Sequence, residues 1–79
     1  MAIADEEQLV RSSRKGELDA FNTLVRTYQR QVYNLCLRML GSAVAEDATQ
    51  EAFIAAYRHL SSFRGGSFRA WLLRIAANR

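Results

Sequence analysis

The stretch SSFRGGSFRAWLLRIAANR, residues 61–79, places a Gly-Gly loop between aromatic residues and runs directly into an amphipathic helix. It carries four arginines and no Asp or Glu: Arg64, Arg69, Arg74 and Arg79. The preceding residues are closer to balance, with six basic and five acidic in 1–40, and one basic and three acidic in 41–60. The net charge of +3 therefore arises in the C-terminal quarter. Clustered arginines without counter-charges favour a polyanion, bound in a salt-sensitive way.

Three aromatic residues alternate with these arginines, namely Phe63, Phe68 and Trp71. Aromatic faces stack on bases that lie outside a duplex, while guanidinium groups hold the backbone. Gly65 and Gly66 allow positive φ and a close approach of the backbone to a ligand. Ser67 is placed to cap the following helix, whose free N–H groups also suit a phosphate. The alternative is a solvated arginine face on a helix whose aromatic residues belong to the core.

The last helix has a core stripe and a polar stripe beside it. The core stripe consists of Phe68, Leu72, Ile75 and Ala76. Ser67, Arg74 and Asn78 form the adjacent stripe, with Trp71 at the border. Arg and Asn suit base edges and phosphates, so this stripe predicts contacts with nucleic acid. Trp71 either supports the stripe from the core, which is the preferred interpretation, or offers its edge to the ligand.

Hydrophobic periodicity predicts an all-α fold, a compact bundle of one short and three longer helices. The predicted spans are about 5–15, 17–40, 43–60 and 67–79. In the second helix, apolar residues recur at three- and four-residue steps on one side: Leu18, Phe21, Val25, Tyr28, Val32, Leu35, Cys36 and Met39. The other side carries Arg26, Arg30 and Arg38. Cys36 lies in the apolar stripe, which predicts a buried structural thiol rather than a reactive one.

Residues at the predicted helix ends suit their positions. Asp5 with Gln8 resembles a capping box for the first helix, which is expected to pack as a lid on the second. Gly16 is expected to end that first helix, and Gly41 to end the second. Ser42 is placed to cap the third. With 79 residues, the chain is predicted to form a single domain with a modest core.

The third helix has one side of small residues and an opposite polar side. Ala45, Ala48, Ala52, Ala55, Ala56 and His59 share the first side, which predicts close packing and a core histidine. Asp47, Gln50, Glu51, Ile54 and Arg58 share the second. An apolar centre ringed by polar residues suits a small protein-binding patch. The alternative is a solvated face with a single exposed isoleucine, which is common on protein surfaces.

The composition argues against several classes of function. One cysteine cannot form an internal disulfide, and Cys36 with His59 offers too few ligands for a structural zinc site, so neither a metal nor a cofactor is predicted. The absence of a catalytic set or phosphate-loop motif argues against an enzyme. An acidic N-terminus and the lack of a long apolar run predict a cytoplasmic protein without a membrane span. The helix that stops in mid-pattern at Arg79 suggests a fragment of a longer protein.

Two motifs together resemble a known family. The segments DATQEAFI, residues 47–54, and FRGGSFRAWLLRIAAN, residues 63–78, look like the second conserved region of bacterial extracytoplasmic-function (ECF) sigma factors, members of the sigma-70 family. The resemblance extends to an early E-x-x-L-V-R helix and to A-F-x-x-L-V-x-x-Y at residues 20–28. It therefore covers almost the whole chain, including the order and spacing of all four helices.

The resemblance implies a function in transcription initiation. In that family, region 2 docks on the β′ clamp helices of RNA polymerase core, opens the promoter at the minus-ten element and holds the non-template strand single. By position, Asp47, Gln50 and Glu51 match the polymerase-binding D-x-x-Q-E, with Ile54 in the same patch. The loop at residues 61–67 matches the segment that accepts a flipped-out base, with Phe63 in its wall. Asn78 and Arg74 match the helix face that reads the upstream end of the element.

The expected DNA-binding residues are Phe63, Arg64, Ser67, Phe68, Arg69, Trp71, Arg74 and Asn78. Family members also have a linker and a C-terminal region 4 domain for the minus-35 element, neither of which is in this sequence. They are often held inactive by an anti-sigma factor, and nothing in these residues identifies one. The expected partners are polymerase core and promoter DNA, with no membrane.

Two other functions remain open at this point. A small duplex-binding regulator would need a recognition helix in the major groove, whereas here an aromatic Gly-Gly loop precedes the basic helix. A pure protein-interaction module would not bind nucleic acid. The arginines around three aromatic residues, which have no acidic counter-charges nearby, argue against this alternative. Relative affinity for single-stranded and duplex DNA separates these alternatives from the sigma-type function.

Overall fold

The computed structural model describes residues 3–78, and within them the predicted all-α fold is confirmed. The elements are α1 (Ile3–Arg14), α2 (Leu18–Leu40), α3 (Ser42–Arg58), a 3-10 turn (Leu60–Ser62) and α4 (Phe68–Ala77). The helix ends match the predicted spans within about two residues, and α4 has 10 residues. Arg79, which the sequence placed in the last helix and among the four arginines, lies outside the described residues.

Glycines end the first two helices as predicted. Gly16 has φ 93°, and its N–H donates to the carbonyl of Ser13 at 3.0 Å, while the N–H of Glu17 donates to Ser12 at 3.1 Å. This pair of bonds satisfies the Ser12 and Ser13 carbonyls at the end of α1. It needs a residue in the left-handed conformation, which glycine adopts without strain. Gly41, with φ 86°, is the single residue between α2 and α3.

Two predicted N-caps are wrong. Helix α1 already includes Ile3, so Asp5 lies inside the first turn, where its charge complements the helix dipole. Gln8 bonds instead to Ser12 and Arg11 on the exposed face. Ser42 is the first residue of α3 rather than its cap, because Gly41 occupies the N-cap position.

The core lies where α2 crosses the small-residue side of α3. Ala45, Ala52 and Ala56 are fully buried, which confirms the predicted close approach of α3 to its neighbours. Leu24 and Phe53 are also buried, although the predicted stripes omitted both. The other buried apolar residues are Val10, Phe21, Val32, Cys36, Ala48, Ala55, Leu60, Phe63, Phe68, Leu72 and Ala76.

Three residues predicted on buried faces are exposed. Leu18 is the first residue of α2 and Met39 lies in its last turn, and both are about half exposed. His59 is exposed because α3 ends at Arg58, so the histidine follows the helix instead of continuing its buried face. The predicted core histidine is therefore wrong, whereas the buried Cys36 thiol is confirmed.

A tyrosine joins α1 to the rest of the bundle. The Tyr28 hydroxyl donates to Glu6 Oε1 across the α1–α2 contact, and its ring lies 5.9 Å from that of Phe68 in α4. Burial first, and then the hydrogen bond and charge of Glu6, raise the pKa of Tyr28 to about 12, against the opposing effect of Arg69. Helix α1 thus packs as the predicted lid, and this bond fixes it over α2.

Titration of Tyr28 is expected to destabilise the folded chain at high pH. Its ordinary pKa is 10.0 and the folded value is about 12, so the folded state holds the phenolic proton more tightly. The resulting stability is complete below pH 10 and falls as the pH rises toward 12. When tyrosinate formation is followed by absorbance as the pH is raised, a phase near pH 12 is expected from Tyr28. Tyr28→Phe should remove that phase. A wild-type titration without a late phase would contradict the assignment.

Candidate nucleic-acid interface

The loop between the 3-10 turn and α4 depends on two successive glycines. Gly65 and Gly66 have φ 97° and 80°, values at which a side chain would be strained. Apart from the adjoining residues of the loop, no atom of residues 3–78 comes within 4 Å of the place where a Cβ would stand, so the backbone here is open to a ligand. Ser67 then caps α4 as predicted, since its Oγ accepts the N–H of Ala70 at 3.0 Å.

An aromatic cluster supports this loop from below. The centre of the Phe63 ring lies 5.6 Å from the centre of the Phe68 ring and 5.3 Å from that of Trp71. The ring centres of Phe68 and Trp71 are 5.6 Å apart. Phe63 is only 7% exposed and Phe68 only 2% exposed. Both rings belong to the core, as the core stripe predicted for Phe68. A base therefore cannot stack on Phe68, whereas Phe63 also lines a cleft beside the loop. Trp71, partly buried, occupies the supporting position that was preferred for it.

Beside the loop lies a cleft of about 620 Å³, with a size typical of sites for small ligands. Its walls come from the end of α1, the end of α3 and the loop itself. Arg14 lines it, with Nε donating to the carbonyl of Leu60 at 3.3 Å and the guanidinium carbon 5.7 Å from the centre of the Phe63 ring. The cleft therefore combines a partly apolar floor with cations and loop backbone at its rim.

Two residues of this cleft were missed by sequence reasoning. The sequence pattern assigns no functional role to Arg14 or to Tyr57. Both line the cleft together with Arg58 and Arg64. The positive charge around the loop is therefore not confined to the C-terminal quarter, because folding brings Arg14 and Arg58 to it. No local pattern signalled this, since it depends on how α1 and α3 cross.

The polar stripe of α4 is solvent-exposed. Arg69, Arg74 and Asn78 are exposed along the helix, and Arg64 is exposed in the loop. Arg69 is tethered to α2, because its Nε donates to Gln31 Oε1. Asn78 follows the last helical residue, with its N–H donating to the Arg74 carbonyl at 3.0 Å. The predicted nucleic-acid residues thus divide into a buried aromatic support and an exposed polar and cationic surface.

A second exposed surface lies on α3. Asp47, Gln50, Glu51 and Ile54 are all exposed, and Ile54 is 52% exposed. The four residues share one side of the helix, as the periodicity predicted. Gln50 also lines a cleft of about 850 Å³ between α2 and α3. This α3 patch offers acidic and amide groups around an apolar centre, in contrast to the cationic loop and α4.

The described residues show neither a membrane span nor a metal site. Within 3–78, no helix combines the length and the apolar character needed to cross a bilayer. Among these residues, His, Cys, Asp and Glu nowhere gather in a group of three that could hold an ion.

Comparison with known proteins identifies the fold and the family. Residues 24–79 match the family Sigma-70 region 2. The chain is 50% identical over 74 residues to the ECF RNA polymerase sigma-E factor of Escherichia coli (strain K12), covering 92% of this chain and 39% of that protein. It is 46% identical over 71 residues to the ECF RNA polymerase sigma factor SigW of Bacillus subtilis (strain 168), covering 87% and 38%.

A solved structure agrees with these sequence matches. The NMR structure of the complex formed by an engineered region 2 of sigmaE with GTAAAA has a TM-score of 0.87 and 44% identity, covering 99% of this chain and 84% of that one. The chain spans about two fifths of the length of the curated relatives. The four helices, the glycine loop and these matches show that the chain belongs to the sigma-70 region 2 family and is similar to the region 2 domains of ECF sigma factors.

Proposed function

We propose that this chain is the promoter-recognition domain of an RNA polymerase sigma factor. It docks on the β′ clamp helices and captures the melted non-template strand of the minus-ten element during transcription initiation. The related engineered region 2 of sigmaE was solved in complex with the oligonucleotide GTAAAA, which supports a single strand as the ligand. The observation that carries the proposal is the cleft beside Gly65, where an open backbone, a buried aromatic ring and arginines converge.

Each part of the cleft suits a base that has left its stack. Phe63 supplies an apolar floor, and the glycines let the loop backbone reach the edge of the base. Arg14 and Arg64 stand at the rim, where the phosphates that flank a flipped nucleotide would pass. Trp71 and Phe68 hold Phe63 in place, and so contribute to binding without touching DNA. Arg74 and Asn78 face the upstream part of the same strand.

The α3 patch is the proposed polymerase-binding surface. It lies on a different helix from the loop and α4, so one domain can hold the polymerase and the strand at the same time. The patch is exposed around Ile54, as a docking surface requires. Polar groups around an apolar centre are typical of protein interfaces.

The domain acts by binding and not by catalysis, in the cytoplasm where polymerase and promoter meet. Residues 1–79 form one region 2 domain, and a linker and a region 4 domain complete the protein. The share of the curated relatives that this chain spans supports that arrangement.

Strand preference tests the proposed function. The chain is expected to bind single strands such as GTAAAA more tightly than the corresponding duplexes, because opening a duplex costs a few kcal/mol at the extruded base. Arg64→Ala should weaken all single strands alike and lower the slope of log K against log salt by about 0.7, the value for one phosphate contact. Fluorescence anisotropy over a salt series measures both quantities.

Arg30→Ala is the matched control for this experiment. It removes an exposed arginine from α2 that does not line the cleft beside the loop, so single-strand affinity should stay close to that of the wild type. Tighter binding to duplex than to every single strand would contradict the proposal and favour a duplex-binding regulator. Lack of DNA binding by a folded chain would favour a pure protein-interaction module.

A further inference from the structure

A second cationic groove lies between α2 and α4, outside the cleft beside the loop. Its volume is about 480 Å³, and three of its lining residues are arginines: Arg38, Arg69 and Arg74. The groove has no Asp or Glu among its described lining residues. Arg38 belongs to the last turn of α2, on the side that the sequence pattern places opposite the apolar stripe. The fold therefore continues the basic surface of α4 onto a second helix.

The arginines of this groove come from both of its walls. Arg69 projects from α4 and its Nε donates to Gln31 Oε1 on α2, which keeps its guanidinium over the groove. Arg38 and Arg74 are exposed and line the same groove from opposite helices. A positive charge in the last turn of α2 also interacts favourably with the helix dipole. That role alone would not require Arg38 to share a groove with two arginines from another helix.

The groove adjoins the helix face that is proposed to meet the minus-ten element. Arg69 and Arg74 project from α4, about 7.5 Å apart along its axis, and supply two of the groove's three cations. Ala77 also lines the groove and directly precedes Asn78, on the helix face proposed to meet the upstream end of the minus-ten element. At that end the opened strand joins paired DNA.

We propose that the α2–α4 groove binds backbone phosphates of the duplex that adjoins the opened element, with Arg38 as a DNA contact on α2. This inference rests on the proposed function, because it places the groove relative to a strand held by the loop. Arg38 would contact phosphate without reading sequence, so it adds affinity and orientation but not base preference.

A forked oligonucleotide tests the groove. Its upstream half is duplex and its downstream half is a single strand beginning at the captured element. Arg38→Ala should weaken binding to the fork by about threefold to tenfold at moderate salt and lower the salt slope by about 0.9, the value for one duplex phosphate. The single strand alone should lose much less affinity. Arg30→Ala, on the same helix but outside the groove, should leave fork affinity unchanged.

The outcomes separate this inference from the proposed function. An unchanged affinity and salt slope for Arg38→Ala on the fork would overturn the groove site, while Arg64→Ala still tests the loop. Equal losses on the fork and on the single strand would retain the phosphate contact and assign it to the strand instead of the duplex. If the wild type shows no preference for single strands, the proposed function fails, whatever Arg38→Ala does. Circular dichroism of each variant checks that the helices remain folded.

Discussion

Phe63→Ala is expected to lower the free energy of unfolding by about 3 to 5 kcal/mol, the usual cost of removing a buried phenylalanine ring. The ring is 7% exposed and contacts Phe68, Trp71 and the guanidinium of Arg14. A domain of this size is stabilised by roughly 4 to 12 kcal/mol in total, so this one substitution removes a large share. Urea unfolding followed by far-ultraviolet circular dichroism measures the loss.

Phe63→Leu is the matched variant that separates folding from DNA binding. It keeps most of the buried volume, and so should unfold at a urea concentration closer to that of the wild type. It also removes the aromatic ring, so the folded variant should bind the preferred single strand more weakly, by up to the roughly 1 to 3 kcal/mol of a base–aromatic contact. An unfolding midpoint of Phe63→Ala equal to that of the wild type would contradict the buried position of the ring.

Periodicity was sufficient for the fold because the relevant signals are local. The alanine face of α3 and the glycines after α1 and α2 were identified from spacing and backbone preference alone. Leu24 and Phe53 were missed since each lies next to a stripe, and only the packing of α2 on α3 decides how wide a buried face is. His59 was misplaced because α3 ends at Arg58 and the histidine occupies the C-cap position, where it is exposed.

The candidate site was only partly predictable, because local patterns do not show how the helices pack against one another. The glycine loop, the Ser67 cap and the exposed α4 arginines follow from residue types at short range. The contributions of Arg14 and Arg38 do not, because both come from helices distant in sequence and reach their grooves only through tertiary packing. Phe63 was expected to contact a base, and the structure shows that its ring is also buried in the core. Its ring belongs to the core and to the floor of the cleft, so stability and ligand binding share one side chain.

The two proposed surfaces should be separable by mutation. Asp47→Ala combined with Gln50→Ala is expected to weaken binding to a β′ clamp-helix fragment by at least about 2 kcal/mol, roughly thirtyfold, as for central residues of an interface. Both side chains are exposed, so the double variant should fold with nearly unchanged stability. Its affinity for single-stranded DNA should be unchanged, because neither residue lines the loop cleft or the α2–α4 groove.

The control is Asp19→Ala combined with Asn22→Ala, which removes an exposed carboxylate and an exposed amide from α2 instead of α3. It changes the net charge by the same amount, so a loss confined to the α3 variant cannot arise from charge alone. Titration of the labelled clamp-helix fragment with each variant, in parallel with the single-strand assay, gives both affinities. Unchanged binding of the fragment by the Asp47 and Gln50 variant would show that the α3 patch is an ordinary solvated face. Loss of both activities in a folded variant would show that the α3 and loop surfaces are coupled, and so would contradict their independence.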